Sequence, residues 1–250
     1  MSLVIFTGSV ASGKTTVART LKNIIANKGL AVKYIDININ HGFTYLLTRF
    51  LNVLLKYTYV GNHYLTIRFN NEILFCKYLQ IMQLLDAIYT PIKYLTGLKI
   101  FIILNRLKRR KYVILLDEYY LNAIVDYLYF SERLCKQSHE QNSYTKNTFR
   151  VFYVLAYHLI IRTIKSHKTL IVYMNRFPRD SINGWLHRER TNIVDVNQII
   201  FRRLATKVLL NIFRQQNNIY VFIKEYSVRD FPKSLVSIIY DVLKFIGGTF

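Results

Sequence analysis

The chain has 250 residues, of which 52% are hydrophobic and 20% charged, and this balance excludes a disordered protein. Its length allows one large domain or two small ones. Lys and Arg outnumber Asp and Glu by 35 to 14, which gives a formal net charge of +21.

Short apolar segments alternate with longer amphipathic ones, a pattern that predicts an α/β fold with a parallel sheet. The first strand is predicted at 3–6, and the following helix, over 14–27, ends before a C-terminal cap at Gly29. A second strand at 31–35 ends at Asp36. Further buried strands, rich in Val, Ile, Leu and Tyr, are predicted at 112–116, 169–173 and 219–223.

Amphipathic patterns between the strands predict helices at 43–55, 73–87, 119–134, 148–164, 197–215 and 233–245. The polar segment 136–147 is typical of a loop. Pro91 and Gly97 interrupt the region 88–110, which receives no assignment. Together these elements predict a single domain over residues 1–250, with a three-layer P-loop NTPase fold and a five-stranded parallel sheet flanked by helices.

The segment from Gly8 to Thr15 matches the phosphate-binding motif Gly-x-x-x-x-Gly-Lys-Thr, the Walker A motif, in full. Glycines permit backbone angles that let consecutive N–H groups turn inward onto phosphate oxygens. Lys14 would reach the β- and γ-phosphates, and the Thr15 hydroxyl would ligate Mg²⁺. The sequence therefore predicts binding of ATP or a similar nucleoside triphosphate with Mg²⁺. The predicted contacts are Gly8, Ser9, Val10, Ala11, Ser12, Gly13, Lys14, Thr15 and Thr16.

Carboxylates that follow two of the predicted strands are candidates for catalysis. Asp117 comes directly off a buried strand, where a carboxylate holds Mg²⁺ directly or through water, so we predict it as a metal ligand beside Thr15. The next residue, Glu118, is predicted as a general base or a substrate contact. Asp36 would orient the acceptor or take a proton from it, and a cap of the next element is an equally favoured alternative.

Arginines cluster after the fourth predicted strand, in a lid-like segment at about 176–192. Arg188 and Arg190 are predicted to close over the triphosphate and to neutralise charge on the transferring phosphoryl group. The alternative is a solvated basic helix.

This order of motifs resembles the thymidylate kinases and, more loosely, the wider superfamily of P-loop nucleoside and nucleotide kinases. Gly13-Lys14-Thr15-Thr16 matches the end of their P-loop, and Asp117-Glu118-Tyr119 stands where they carry Asp-Arg-Tyr. The segment 178–190 resembles their arginine-bearing lid. The resemblance implies a phosphotransferase that moves the γ-phosphoryl group of ATP to a nucleotide, such as a nucleoside monophosphate, and implies a homodimer.

The chain departs from these kinases mainly on the acceptor side. Glu118 reverses the charge of their arginine, and 37–42 replaces their Glu-Pro-Gly turn. The region at about 57–110 is a longer helical segment than a compact thymidylate kinase needs. The resemblance therefore implies ATP binding and leaves the acceptor open.

The positive charge leaves several partners open: nucleic acid, an anionic membrane face, or anionic small substrates, besides simple drift in composition. The one dense basic run is Arg106–Lys111. The main functional alternative is an NTP-dependent switch or nucleic-acid-associated ATPase without a small acceptor. A degenerate kinase fold that binds nucleotide without transfer is a third possibility.

Cysteine usage and hydropathy bear on location. Cys76 and Cys135 match no metal or redox spacing, so two buried thiols in a reducing compartment are expected. Met1 leads directly into a strand, and the longest uncharged apolar run, near 151–161, is shorter than the roughly 18–20 residues of a membrane span. We therefore expect a cytoplasmic protein without a transmembrane segment.

Overall fold

The structure is a computed structural model that describes residues 1–9, 11–36, 44, 46–47, 50, 72–117, 120–135, 139–189 and 196–247. Its strands are β1 (Ser2–Gly8), β2 (Ala31–Asp36), β3 (Tyr112–Asp117), β4 (Lys168–Arg176) and β5 (Ile219–Tyr226). Its helices are α1 (Lys14–Asn27), α2 (Glu72–Tyr94), α3 (Ile100–Leu107), α4 (Tyr120–Tyr129), α5 (His139–Lys165), α6 (Pro178–Glu189), α7 (Val196–Arg214) and α8 (Phe231–Gly247). Two π-helical turns, Leu95–Lys99 and Phe130–Leu134, follow α2 and α4.

The five strands form one parallel sheet in the order β2-β3-β1-β4-β5, which confirms the predicted α/β class. The central strands β1 and β3 are buried along their whole length, because helices cover both faces of the sheet. Register aligns their carboxyl ends: Asp117 lies beside Phe6 on one side and Asp36 on the other. The side chains that end these strands therefore lie at one edge of the sheet, where parallel α/β proteins bind their ligands.

Alternate residues of each strand contribute to two cores, one on each face of the sheet. Val4 and Phe6 pack with α1 and α8. Leu3 and Ile5 pack on the other face, with α2, α4, α5 and α7. This alternation follows from the two-residue period of strand side chains, and it gives the predicted three layers.

Two segments differ from the expectations. The unassigned region 88–110 is helical: α2 continues through Pro91, and Gly97 lies in the π-helical turn that leads into α3. The predicted loop at 136–147 is wrong from His139 onward, because α5 begins there. The Thr148 hydroxyl, directly after this segment on the same helix, donates a hydrogen bond to Gln83 Oε1 on α2 at 2.5 Å. Tertiary contacts of this kind stabilise helical segments whose polar composition alone predicts a loop.

The two cysteines are joined in a disulfide, so the expectation of two free thiols is wrong. Cys76 lies on α2 and Cys135 directly follows the π-helical turn after α4, with their Cα atoms 5.7 Å apart. That separation is ordinary for a disulfide. No local pattern in the sequence predicts this pairing, since the residues are 59 positions apart and meet only when α2 packs beside the end of α4.

Residues Ile73–Leu107 form one continuous helical segment that is long and apolar enough to cross a membrane by length and composition. Of its most apolar 18-residue window, 28% is buried inside the protein. Core helices of soluble proteins pass the same test, so one such segment is weak evidence for a span. The expectation of no transmembrane segment stays a prediction.

Candidate nucleotide-binding site

The backbone of the P-loop requires glycine at two positions. Gly8 has φ 138°, and a Cβ there would lie 1.9 Å from the Met174 carbonyl oxygen of β4. Gly13 has φ 77°, and a Cβ there would lie 2.5 Å from the Phe231 ring. Both the backbone angles and the close neighbours exclude side chains, so the loop is shaped by the strand and helix packed against it.

Neighbouring strands hold this loop in place through hydrogen bonds. The Ser9 N–H donates to the Met174 carbonyl oxygen at 3.1 Å, and the Arg176 N–H donates to Ser9 Oγ at 2.8 Å. The Tyr226 hydroxyl, at the end of β5, donates to the Ser12 carbonyl oxygen. Burial raises the pKa of Tyr226 to about 12, so its hydroxyl remains a donor at neutral pH.

Lys14 lies inside the loop and is 4% exposed. Its Nζ donates to the Ser9 carbonyl oxygen at 2.8 Å, and it lies 3.4 Å from Ser12 Oγ. Helix α1 begins at this residue, with no side-chain cap at Gly13 and no acidic residue in its first turn. A buried ammonium and uncapped helix N–H groups at one point form a site for an anion.

Asp117 links the P-loop helix to β2. The Thr15 hydroxyl donates to Asp117 Oδ2 at 2.6 Å, and the Tyr34 hydroxyl donates to the same oxygen at 3.0 Å. Burial, and then the negative charge of Asp117, raise the pKa of Tyr34 far above its usual range, so its hydroxyl stays protonated.

These oxygens fit a magnesium ion. Among the described residues no group of three or more His, Cys, Asp or Glu side chains could hold a metal, so an all-protein metal cage is absent from this part of the chain. Mg²⁺ instead takes one or two protein oxygens together with waters and substrate phosphates. Thr15 and Asp117 offer such a hydroxyl and carboxylate within hydrogen-bond distance of each other.

A second group of charges lies on the β2 side of this edge. Asp36 neighbours Asp117 in the sheet register. Lys93 of α2 is half-buried, and its burial lowers the pKa of its ammonium, while the negative charges of Asp36 and Asp86 oppose that shift. Helix α2 therefore brings a cation close enough to Asp36, at the end of β2, for the two charges to interact.

Helix α6 packs on the tip of the P-loop. A Cβ at Gly184 would lie 2.8 Å from the Ala11 side chain and 3.0 Å from Arg176 Nη1, so the helix touches both. Trp185 is buried in a small apolar cluster that Ala11 joins. Asp180 Oδ2 accepts a hydrogen bond from the Val228 N–H at 3.0 Å, which ties the start of the helix to the segment after β5.

The structure brings together Lys14, Thr15, Asp36 and Asp117 of the predicted site, whereas Thr16 lies on α1 with an exposed side chain. Val10, Glu118 and Arg190 lie outside the described residues. Arg188 lies on α6, but its side chain is also outside the described part of the chain.

Sequence reasoning missed Tyr34, Lys93, Arg176 and Tyr226. For Tyr34 a signal existed: it lies two residues before Asp36, so both share one face of β2. Arg176 was part of the arginine cluster but was not singled out. No local pattern marks Lys93 or Tyr226, because their positions depend on the packing of α2 and on the length of β5.

Comparisons with known proteins agree with the P-loop and say little about the rest. Residues 1–45 match the family model of the chromatin associated protein KTI12. Among solved structures, the thymidylate kinase of Candida albicans, whose description concerns broad substrate specificity and a novel structural element, is similar at 13% identity with a TM-score of 0.48. That alignment covers 99% of this chain and 91% of the other. No curated protein sequence matches the chain.

The recognition of a P-loop protein is confirmed at the level of the loop by the family match, and the predicted five-stranded parallel sheet is confirmed by the structure. The matched segment of the KTI12 family is β1, the P-loop, α1 and β2, together with residues up to 45, which is less than half of the chain. The structural likeness has too low an identity and TM-score to bear on substrate or activity.

Proposed function

We propose that the chain binds ATP or a similar nucleoside triphosphate with Mg²⁺ and transfers the γ-phosphoryl group to a small acceptor, a nucleoside monophosphate or a related compound. The observation that supports this most is the meeting of Lys14, Thr15 and Asp117 at one corner of the sheet. A phosphate-binding loop beside an oxygen site for Mg²⁺ is the core of a phosphoryl-transfer centre.

The phosphate side of the mechanism depends on groups that are already in position. The loop N–H groups and Lys14 would hold the β- and γ-phosphates, and Mg²⁺, when bound, neutralises charge that develops there. Thr15 and Asp117 would hold the metal. The Arg176 guanidinium lies between α6 and Ala11 of the P-loop. From there it would place a second cation at the phosphates. Arg188 and Arg190 stay proposed lid residues.

The acceptor side rests on Asp36 and Lys93. An anionic acceptor would find the Lys93 ammonium on α2, and Asp36 would orient the attacking group beside Asp117. Glu118 stays a proposed contact. Helix α6, seated on the loop, would exclude water from the phosphates.

The test is ATP consumption by the purified chain with Mg²⁺ and a panel of nucleoside monophosphates, nucleosides and nucleic acids. Lys14→Ala is expected to abolish transfer, whereas Lys22→Ala, an exposed lysine on the same helix, is expected to leave it unchanged. A phosphorylated small product establishes a kinase and identifies its acceptor. Unchanged turnover in the Lys14→Ala variant would overturn the proposal.

A second candidate is an NTP-dependent switch or nucleic-acid-associated ATPase. Two observations favour it: the net charge of +21, and the match of residues 1–45 to a family described as chromatin associated. Such a protein would hydrolyse ATP slowly and respond to DNA or RNA, with binding that weakens steeply as salt rises. A kinase would accelerate only with its small acceptor.

Three further features belong to the leading proposal. They are a single domain over 1–250, a homodimer, and a location in the cytoplasm or the nucleus.

A further inference from the structure

The helical segment α2–α3 exposes a line of aliphatic side chains on its outer face, here called the apolar stripe. It comprises Ile88, Ile92, Leu95, Ile100, Ile103 and Leu107. The spacing is three or four residues except across the π-helical turn, where Leu95 and Ile100 are five apart. Because a π-helical turn closes at i+5, this step keeps the stripe on one side of the segment over roughly 30 Å.

The opposite face of this segment is fixed in the protein core. Tyr94, Leu98 and Ile102 are buried there. The segment therefore cannot expose its whole circumference without giving up core packing, and only the stripe is available to a partner. Such one-sided apolar exposure is typical of a helix that lies in a membrane–water interface.

A dense group of cations continues the stripe at its end. Leu107, at 75% exposure, is followed by exposed Lys108, Arg109, Arg110 and Lys111. The Met1 amine lies among cations of the same sheet edge: its pKa is lowered by burial and then by the positive charges of Lys111 and Lys168. Apolar and cationic surfaces thus meet at the amino end of β3.

The charges of this face distinguish between possible partners. Residues 73–111 contain one acidic residue, Asp86, which is buried. A second copy of the chain carries the same +21 and the same face, so it offers no complementary anions here. Nucleic acid would pair with the cations but would leave the aliphatic stripe in water.

We propose that this face docks on the surface of an anionic phospholipid bilayer. Aliphatic side chains would enter the boundary between headgroups and acyl chains, and the following cations would pair with anionic headgroups. The basic run lies at the amino edge of the sheet, whereas the P-loop lies at the carboxyl edge.

The test is co-sedimentation of the full chain with phosphatidylcholine vesicles, with and without phosphatidylserine. Binding is expected only to the anionic vesicles and is expected to weaken with salt. Ile103→Glu with Leu107→Glu is expected to lower binding at least about tenfold. Lys108→Gln with Arg110→Gln is expected to lower it roughly twenty- to thirtyfold, at about fivefold per cation near the surface.

The matched control is Leu204→Glu with Val208→Glu, two exposed aliphatic residues on α7 that no basic run follows. This variant is expected to sediment like the unaltered chain. ATP binding by every variant checks that it is folded, and the salt dependence of the unaltered chain tests the proposal without any substitution.

Several outcomes would overturn the proposal. They are equal binding to neutral vesicles, full binding by the stripe variant, and equal loss in the α7 control. A chain that sediments with neither vesicle type, but forms a dimer that the stripe variant dissociates, would assign the face to a second copy. DNA binding without vesicle binding would assign the cations to nucleic acid.

Discussion

The two edges of the parallel sheet are built from the same five strands but carry different side chains: a hydrogen-bonded candidate site at the carboxyl edge and a group of cations at the amino edge. At the carboxyl edge lie the P-loop, Asp36 and Asp117, held by backbone contacts and hydrogen bonds. At the amino edge lie Lys111, Lys168 and the Met1 amine, close enough for their charges to affect each other.

The comparison shows that side-chain positions are constrained at the carboxyl edge, whereas the amino edge is distinguished by its positive charge. The carboxyl edge places individual atoms within hydrogen-bond distance, which phosphoryl transfer requires. The amino edge gathers cations, among them exposed Lys111 and half-buried Lys168, and cations need no fixed geometry to attract an anionic surface. Substitutions at the carboxyl edge should therefore alter chemistry, and substitutions at the amino edge should alter docking or stability.

After the loss of transfer expected for Lys14→Ala, the largest expected effect is that of Asp117→Asn. The substitution keeps the size of the side chain but removes the charge that would hold Mg²⁺, so the rate of phosphoryl transfer should fall by roughly a thousandfold. Steady-state kinetics over a range of Mg²⁺ concentrations measure the loss.

The neutral amide should leave the fold in place, and thermal unfolding checks this. A rate within a few-fold of the unaltered chain would show that Asp117 holds no metal. It would also mean that substitutions at the carboxyl edge do not alter the chemistry more than those at the amino edge.

Much of the carboxyl edge could be predicted from the sequence, because local patterns determine it. The P-loop motif, the strands and the strand-ending Asp36 and Asp117 were all found. Lys93 and Tyr226 were not, since they reach the site only through packing of α2 and β5. The start of α5 over residues 139–147 was also missed, because its polar composition is typical of a loop.

Glycine substitutions extend the comparison to stability. In Gly8→Ala the new Cβ would lie 1.9 Å from the Met174 carbonyl oxygen, and the residue has φ 138°. We expect the free energy of unfolding to fall by about 3–5 kcal/mol, from backbone strain and overpacking together. Gly29 at the amino edge has φ 74° with nothing within 4 Å, so Gly29→Ala should cost only about 1–2 kcal/mol.

Urea unfolding of both variants tests this pair. Equal losses would mean that the close contact between Gly8 and β4 contributes nothing beyond backbone strain. The P-loop would then be no more tightly constrained than the turn before β2.

The two ends of β4 provide a matched pair of cations. Arg176 ends the strand beside the P-loop, and Lys168 begins it at the amino edge, where its ammonium lies 5.2 Å from the centroids of the Tyr220 and Phe245 rings. Arg176→Ala should lower kcat/KM for ATP by roughly ten- to a hundredfold, because a cation at the phosphates is lost.

Lys168→Ala should leave kcat/KM unchanged and should lower stability by roughly 0.5–1 kcal/mol through the lost cation–π contacts. Equal kinetic effects of the two substitutions would remove Arg176 from the proposed phosphate site.

The smallest expected effect concerns His167, which is buried just before β4. Its Nδ1–H donates to the Thr163 carbonyl oxygen at 2.9 Å, and its Nε2 accepts from the Tyr112 hydroxyl at 3.0 Å, so the neutral ring fits this site. Burial lowers the pKa of His167 below its ordinary value of 6.5, and the positive charge of Arg106 adds to the shift.

Below pH 6.5 the unfolded chain therefore binds this proton before the folded chain does, and stability falls as the pH drops from 6.5 toward the lowered pKa. His167→Gln, whose neutral amide can accept from Tyr112, should remove this loss, measured as the urea midpoint at neutral pH and just above pH 5. That range stays above the 4.5 from which the pKa of Glu225 is lowered, so that carboxylate does not contribute. An unchanged pH dependence in the variant would assign the loss to other groups of the basic amino edge.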